Sequence, residues 1–346
     1  MNLPHTPLVT VITPTYNHER FIGPCIDSLL QQTYPDWEQI IVDDGSTDKT
    51  GEMIAAYRDP RVRYERQENR GPFELARTYN RALALARGEL IAILEGDDLW
   101  PPDKLATLIP AFRDETVVLA YGERVDIDTR GRRQRRKTRS ARLREHVSDA
   151  ILLNHPVGTM TRYLLLEDGR SLVHPCTVIM RRQALERIGG FQYVPGLPLT
   201  DYPTFIELSL TGRFHFTRQT MGYLRRHQRS ITVCHLRTIH EVVSKFANDF
   251  LEKHADAVTL TSEERLAMEN SWREVDDRLH FSEGRILLLG KSWSEARQHF
   301  RAASSSKSAK VRAAAFTGWL LSLLHRDMEP LMRLGGRSDL RVAAGE

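Results

Sequence analysis

Over about the first 122 residues, apolar positions follow two alternating rhythms. Leu8 to Thr13 (LVTVIT) is a short β-branched run, and Phe21 to Gln32 then sets Phe21, Ile22, Cys25, Ile26, Leu29 and Leu30 on one face of a helix. The pair recurs. Glu38 to Asp44 (EQIIVDD) predicts a second strand, after which Ser46, Thr47 and Asp48 can cap a helix reaching about Tyr57. A short strand at Val62 to Glu65 precedes a helix from Pro72 to Arg87, carried by Leu75, Ala76, Tyr79, Ala82, Leu83 and Ala86 and stopped by Gly88. The run beginning at Leu90 (LIAIL) predicts a buried strand. Pro101 and Pro102 suit a helix start, that helix runs to about Phe112, and Val117 to Tyr121 predicts another strand. Such alternation predicts an α/β fold, Rossmann-like, with a mostly parallel sheet flanked by helices.

Beyond about His235 strand signals cease. Leu236 to His254, Glu263 to Leu289, Trp293 to Ala303 and Val311 to His325 read as helices, so the chain divides into residues 1–234 and a helical C-terminal region, residues 235–346. Gly284, Leu287, Ala296, Phe300 and Ala303 have tetratricopeptide-like spacing, and Gly318 follows Gly284 by one 34-residue period. One such unit is too few for an independent solenoid, which predicts an extension packed on the first domain. The stripe Trp319, Leu320, Leu323 and Leu324 is either buried there or offered to a partner, and the tail from Gly335 is expected to fray.

The strand ends carry the candidate chemistry. Thr15, Tyr16 and Asn17 follow the first strand, Asp43 and Asp44 the second, and Glu95, Asp97 and Asp98 the fourth. In open α/β sheets ligands bind beyond the carboxyl ends of the strands. A tyrosine ring and a carboxylate there can hold a base and its ribose, while clustered acids suit a divalent metal and a diphosphate. The first loop has no glycine before Gly23, so the dinucleotide fingerprint is missing, and no GxxxxGK[ST] occurs. Each position has a plainer reading: Asp97 and Asp98 can cap the next helix, and Asp44 with Gly45 and Ser46 can form an ordinary turn.

VTVITPTYN, SLLQQTYPDWEQIIVDDGSTDKT, ENRGPFELARTYNRALALARGELIAILEGDD and MRRQALERIGGF, in that order, closely resemble the family 2 glycosyltransferases over about residues 7 to 232. The resemblance implies a GT-A fold and an inverting, metal-dependent transfer of sugar from a nucleoside diphosphate donor, most often UDP. Pro14, Tyr16 and Asp44 match nucleoside-contacting positions, and Arg77 matches a position that can face the phosphates. Glu95-Gly96-Asp97-Asp98 matches the DxD motif with Glu for the usual first Asp, so the role toward Mn2+ or Mg2+ rests on Asp97, helped by Asp98. Asp201, after Gly189-Gly190-Phe191, matches the general base; Thr200 replaces the usual Glu, and Glu207 is the rival base. Tyr223 to Ser230 resembles the family's closing segment, in which His227 can approach the metal or the phosphates. The implied acceptor is a glycan or lipid-linked saccharide in surface polysaccharide synthesis; a non-catalytic sugar-nucleotide binder or scaffold of the same fold is the alternative.

Composition changes the picture in two places. Arg124 to Arg144 holds ten Lys/Arg against Asp126 and Asp128, leaving the rest of this +4 chain negative. Because Arg130 to Arg144 lacks the aromatics of a single-strand stacking platform, no nucleic acid partner is expected, and peripheral contact with anionic membrane lipid is the preferred reading beside a solvated loop. Three scattered cysteines, no secretion-type start and no apolar stretch of spanning length predict a reducing, cytoplasmic setting at or near the inner face of a membrane.

Overall fold

The computed structural model describes residues 8–134, 145–166 and 172–326. Its core is a seven-stranded sheet in the order β3-β2-β1-β4-β6-β5-β7. The strands are β1 (Val9–Thr15), β2 (Trp37–Asp43), β3 (Val62–Arg66), β4 (Leu90–Ile93), β5 (Val117–Ile127), β6 (Ile179–Arg181) and β7 (Arg213–Arg225). β1 runs parallel to β2 and β4, β2 to β3, and β5 to β7; β6 alone runs against its neighbours β4 and β5. Every residue of β1, β2 and β4 is buried, so their apolar residues are not confined to alternate positions. β3 lies at an edge, and its VRYER sequence is half-exposed and charged.

The helices of the first half are α1 (Ile22–Leu30), α2 (Thr50–Ala55), α3 (Leu75–Leu85) and α4 (Lys104–Leu108). α1 buries Ile22, Cys25, Ile26 and Leu29 into one apolar cluster with Val9, Val11, Ile41, Leu90 and Leu105. The chain goes from β1 to β2 and β3 on one side and returns to β4 on the other, so a topological switch point lies at the carboxyl ends of β1 and β4. At the opposite end of this pair, a Cβ on Gly88 would sit 2.5 Å from the Thr10 backbone nitrogen; only glycine lets the chain enter β4 there.

Glu38, on β2, is a buried anion fastening this half. Its carboxylate accepts hydrogen bonds from the Thr10 hydroxyl, the Arg87 backbone N–H and the Arg87 Nε–H, each at 2.8 Å. Burial pushes its pKa up, but the Arg87 and Thr10 hydrogen bonds outweigh this and hold it below the usual value.

The chain separates into two compact units, Met1–Thr259 and Leu260–Glu346, so the helix Leu236–Lys253, assigned from sequence to the C-terminal region, belongs to the first. The second unit holds the helices Ser262–Leu289, Trp293–Ala303 and Ala309–Leu323. Phe300 is its centre. A Cβ on Gly284 would come within 2.9 Å of that ring, and one on Gly318 within 2.4 Å, so the two glycines noted for their 34-residue interval admit the same side chain. Of the apolar stripe, Leu320, Leu323 and Leu324 are exposed. Among the described residues no helix is long and apolar enough to cross a membrane. Residues 135–144, most of the basic segment, and the tail from Gly335 lie outside the described residues.

Candidate functional site

β4 ends at Ile93, and the next residues, Leu94 to Asp98, turn across the switch point. The Gly96 N–H donates to the Pro14 carbonyl (3.1 Å), which seats the acidic loop on the end of β1. A Cβ on Gly96 would lie 2.6 Å from the Thr15 hydroxyl oxygen and 2.9 Å from His18 Nδ1, so the middle residue of the acidic motif must be glycine for the loops after β1 and β4 to meet. From the other side β7 closes the loop. The Arg225 backbone N–H donates to Asp98 Oδ1 (2.8 Å), and Arg225 Nε–H to the Asp97 carbonyl (2.7 Å).

Two residues beyond β7, His227 comes to 2.8 Å from the Asp97 carboxylate. His18 reaches the same place from the loop after β1, with its Nδ1 3.1 Å from the Thr15 hydroxyl. One donor atom each from His18, Asp97 and His227 lies within 4.8 Å of the others, the spacing of a metal-ligating cluster. His227 and Asp97 were legible as candidates; His18 was not, because its partners Asp97 and His227 lie far along the chain.

The three acids of the motif have different fates. Burial pushes the Glu95 pKa up to about 8, reinforced by the charges of Asp97 and Asp201, although the Tyr79 hydroxyl donates to its Oε1 at 2.9 Å. Asp98 is wholly buried and driven well above the carboxylate range by burial, then by Asp97 and Glu95; its Oδ2 has no hydrogen-bond partner among the described residues. Burial acts on Asp97 too, but His18 and His227 outweigh it and hold its pKa low. Like charges this close oppose one another's ionisation, and the two imidazoles favour Asp97 as the charged member over Glu95 and Asp98. His18 is lowered by burial, against the pull of Asp97.

Asp201 opens the helix Asp201–Leu208 and is coupled through its charge to Glu95 and Tyr79, which brings the expected base to the acidic loop. The Gly189-Gly190-Phe191 turn before it is latched to α3: Asn80 donates to the Phe191 carbonyl (2.7 Å) and accepts from the Phe191 N–H (2.8 Å). The Thr200 hydroxyl, where Glu was expected, donates to the Gln192 carbonyl (3.2 Å). The rival base Glu207 is occupied elsewhere, paired with Lys253 at 2.7 Å and His254 at 3.0 Å.

The remaining candidates line the loops after β1 and β2. Tyr16 is 44% exposed at the end of β1, beside buried Pro14 and Thr15. Asn17 spans the two loops, accepting from the Thr47 N–H (2.8 Å) and donating its backbone N–H to Ser46 Oγ (2.9 Å). Asp43 is fully buried and holds the Ser46 N–H, the Ser46 hydroxyl and the Tyr64 hydroxyl, which makes it a fastener of the turn. Asp44 is half-exposed and accepts from Gln67 (2.7 Å). Arg77 pairs with Glu74 and lies over the Tyr193 ring, 5.4 Å from its centre.

A family model, Glycosyl transferase family 2, matches residues 10–189. The putative teichuronic acid biosynthesis glycosyltransferase TuaG of Bacillus subtilis is 44% identical over 117 residues, 33% of this chain and 46% of TuaG. The chain spans about half the length of the curated relatives it matches. Among solved structures, the mannosyltransferase PcManGT from Pyrobaculum calidifontis, in complex with GDP-Man and Mn2+, superposes with a TM-score of 0.54 at 21% identity, over 99% of this chain and 86% of that one. S. aureus TarS 1-349 in complex with UDP-GlcNAc gives 0.55 at 20% identity, over 91% and 90%. These two likenesses show the fold, which is the GT-A fold expected from the sequence.

Proposed function

The chain belongs to glycosyl transferase family 2, and from that premise we propose that it is an inverting glycosyltransferase moving a sugar from a nucleoside diphosphate donor, a UDP-sugar, to a glycan or lipid-linked saccharide in surface polysaccharide synthesis. The observation that carries the reading is the convergence of His18, Asp97 and His227 at the switch point, with Asp201 coupled to the same acidic loop.

Two imidazoles and one ionised carboxylate fit Mn2+ better than Mg2+, which favours all-oxygen shells. Asp97, His18 and His227 would hold the ion, with Glu95 and Asp98 beneath. Bound there, Mn2+ supplies charge neutralisation for the departing diphosphate. Tyr16, Pro14 and Asp44 offer an exposed ring and a carboxylate for the base and ribose, next to the Asn17 and Thr15 loop. Asp201 accepts the acceptor hydroxyl proton as that oxygen attacks the anomeric carbon. Thr200 and Asn80 fix the turn that carries it. The basic segment Arg130 to Arg144 fits a peripheral contact with anionic lipid near a lipid-linked acceptor.

The test is UDP release from a panel of UDP-sugars with Mn2+ or with chelator. Asp97→Asn should abolish both the metal dependence and the turnover. Equal turnover in chelator and in Mn2+ would overturn the metal role, and no release with any nucleotide sugar would overturn the reading itself.

A further inference from the structure

The unit Leu260–Glu346 contains a second cluster of metal-ligating side chains. His280 and Glu283, at i and i+3 on the helix Ser262–Leu289, share one face, and the helix Trp293–Ala303 brings His299 against them. His299 Nδ1 lies 3.1 Å from His280 Nδ1 and 3.0 Å from a Glu283 carboxylate oxygen. Three lone-pair-bearing atoms thus converge, and a single N–H on His299 cannot point well at both neighbours. A cation between them can be ligated by all three atoms.

The surroundings favour that state. Asp276, one turn before His280, lies 3.6 Å from its other ring nitrogen, Nε2. The nearby carboxylate charge favours the Nε2–H tautomer, which leaves the Nδ1 lone pair on the side of the cluster. A tetrahedral ion with bonds of about 2.0–2.1 Å separates its ligand atoms by about 3.3–3.4 Å, so the observed spacings need open by only a few tenths of an ångström. The three side chains are 26–29% exposed, which leaves an entry path and room for water as fourth ligand.

We propose that His280, Glu283 and His299 bind a first-row transition-metal dication of the Zn2+ type, with water completing the shell. Two imidazoles and one carboxylate select such an ion over Mg2+ or Ca2+. The ion ties the first two helices of the unit together beside Phe300, and because it binds the folded arrangement it stabilises that arrangement.

The full chain, stripped with chelator, is titrated with Co2+ while its visible ligand-field absorption is followed. A one-equivalent component should persist in Asp97→Asn and disappear in His280→Gln and His299→Gln, with helical circular dichroism unchanged. A component lost in Asp97→Asn but kept in His299→Gln would put all the metal at the donor site and overturn the proposal. No variant is needed for the second measurement: Zn2+ should protect His280 and His299 of the wild-type chain from diethyl pyrocarbonate, read by peptide mass spectrometry. Equal modification of both with and without Zn2+ would also overturn it.

Discussion

Glu95→Gln isolates what the acidic loop costs the fold. With a folded-state pKa of about 8 against 4.5 for the free side chain, Glu95 stays protonated in the folded chain over a range where the unfolded chain has lost that proton. The folded state then binds the extra proton, so stability falls as pH rises, by about 1.4 kcal/mol per pH unit and about 5 kcal/mol over the whole window. Glutamine copies the neutral acid, including its ability to accept from the Tyr79 hydroxyl, and does not titrate. In metal-free protein the advantage of Glu95→Gln over wild type should therefore grow from about pH 4.5 and level off near pH 8. The assay is urea unfolding at half-unit pH steps, with the transition of the first unit compared between the two proteins. A difference that stays flat between pH 5 and 8 would refute the reasoning, because it would mean that the buried carboxylate is already ionised in the fold.

Glu38→Ala strips partners from the Thr10 hydroxyl and the Arg87 N–H inside the sheet and should cost about 3–5 kcal/mol, as for other broken buried ion pairs; a loss below about 1 kcal/mol in urea would contradict the anchoring role. Asp201→Asn should lower kcat by about 100- to 10,000-fold while nucleotide-sugar affinity, measured calorimetrically, holds; undiminished turnover would mean another group takes the proton. Phe300→Ala empties the space framed by Gly284 and Gly318 and should destabilise the C-terminal unit by about 3–5 kcal/mol, seen as faster amide exchange in its three helices; unchanged exchange would show that the ring is not its keystone.

How far the sequence reveals this depends on how local each signal is. β1, β2 and β4 are covered on both faces, so β4 is apolar throughout and the others show short apolar stretches such as IIV in β2, with their buried polar residues held by hydrogen bonds. β6 has three residues, too few for any period, and β7 mixes Arg, His, Thr and Gln with its apolar positions because much of it is half-exposed. β5 continues past Tyr121 to Ile127 through the polar GERVDI, held by its pairing with β7, a partner far along the chain. The site divides the same way. Asp97 and Asp201 lie in motifs that can be read locally, whereas His18 acquires a role only when Gly96 lets a distant loop approach it. Asp43, likewise at a strand end, is used by its neighbours Ser46 and Tyr64 to hold a turn.

The α3 helix contributes no reacting group, yet two adjacent residues on it gauge the whole centre. The Tyr79 hydroxyl holds Glu95 in the floor, and the Asn80 amide grips the Phe191 backbone at the start of the segment leading to Asp201. The segment leading to Asp201 and the acidic loop are therefore both referenced to one rigid rod, although they lie far apart in the chain. A jig of this kind fixes the spacing of two segments without a direct bond between them. Altering Asn80 would be expected to blur turnover without touching a single group that meets the sugar.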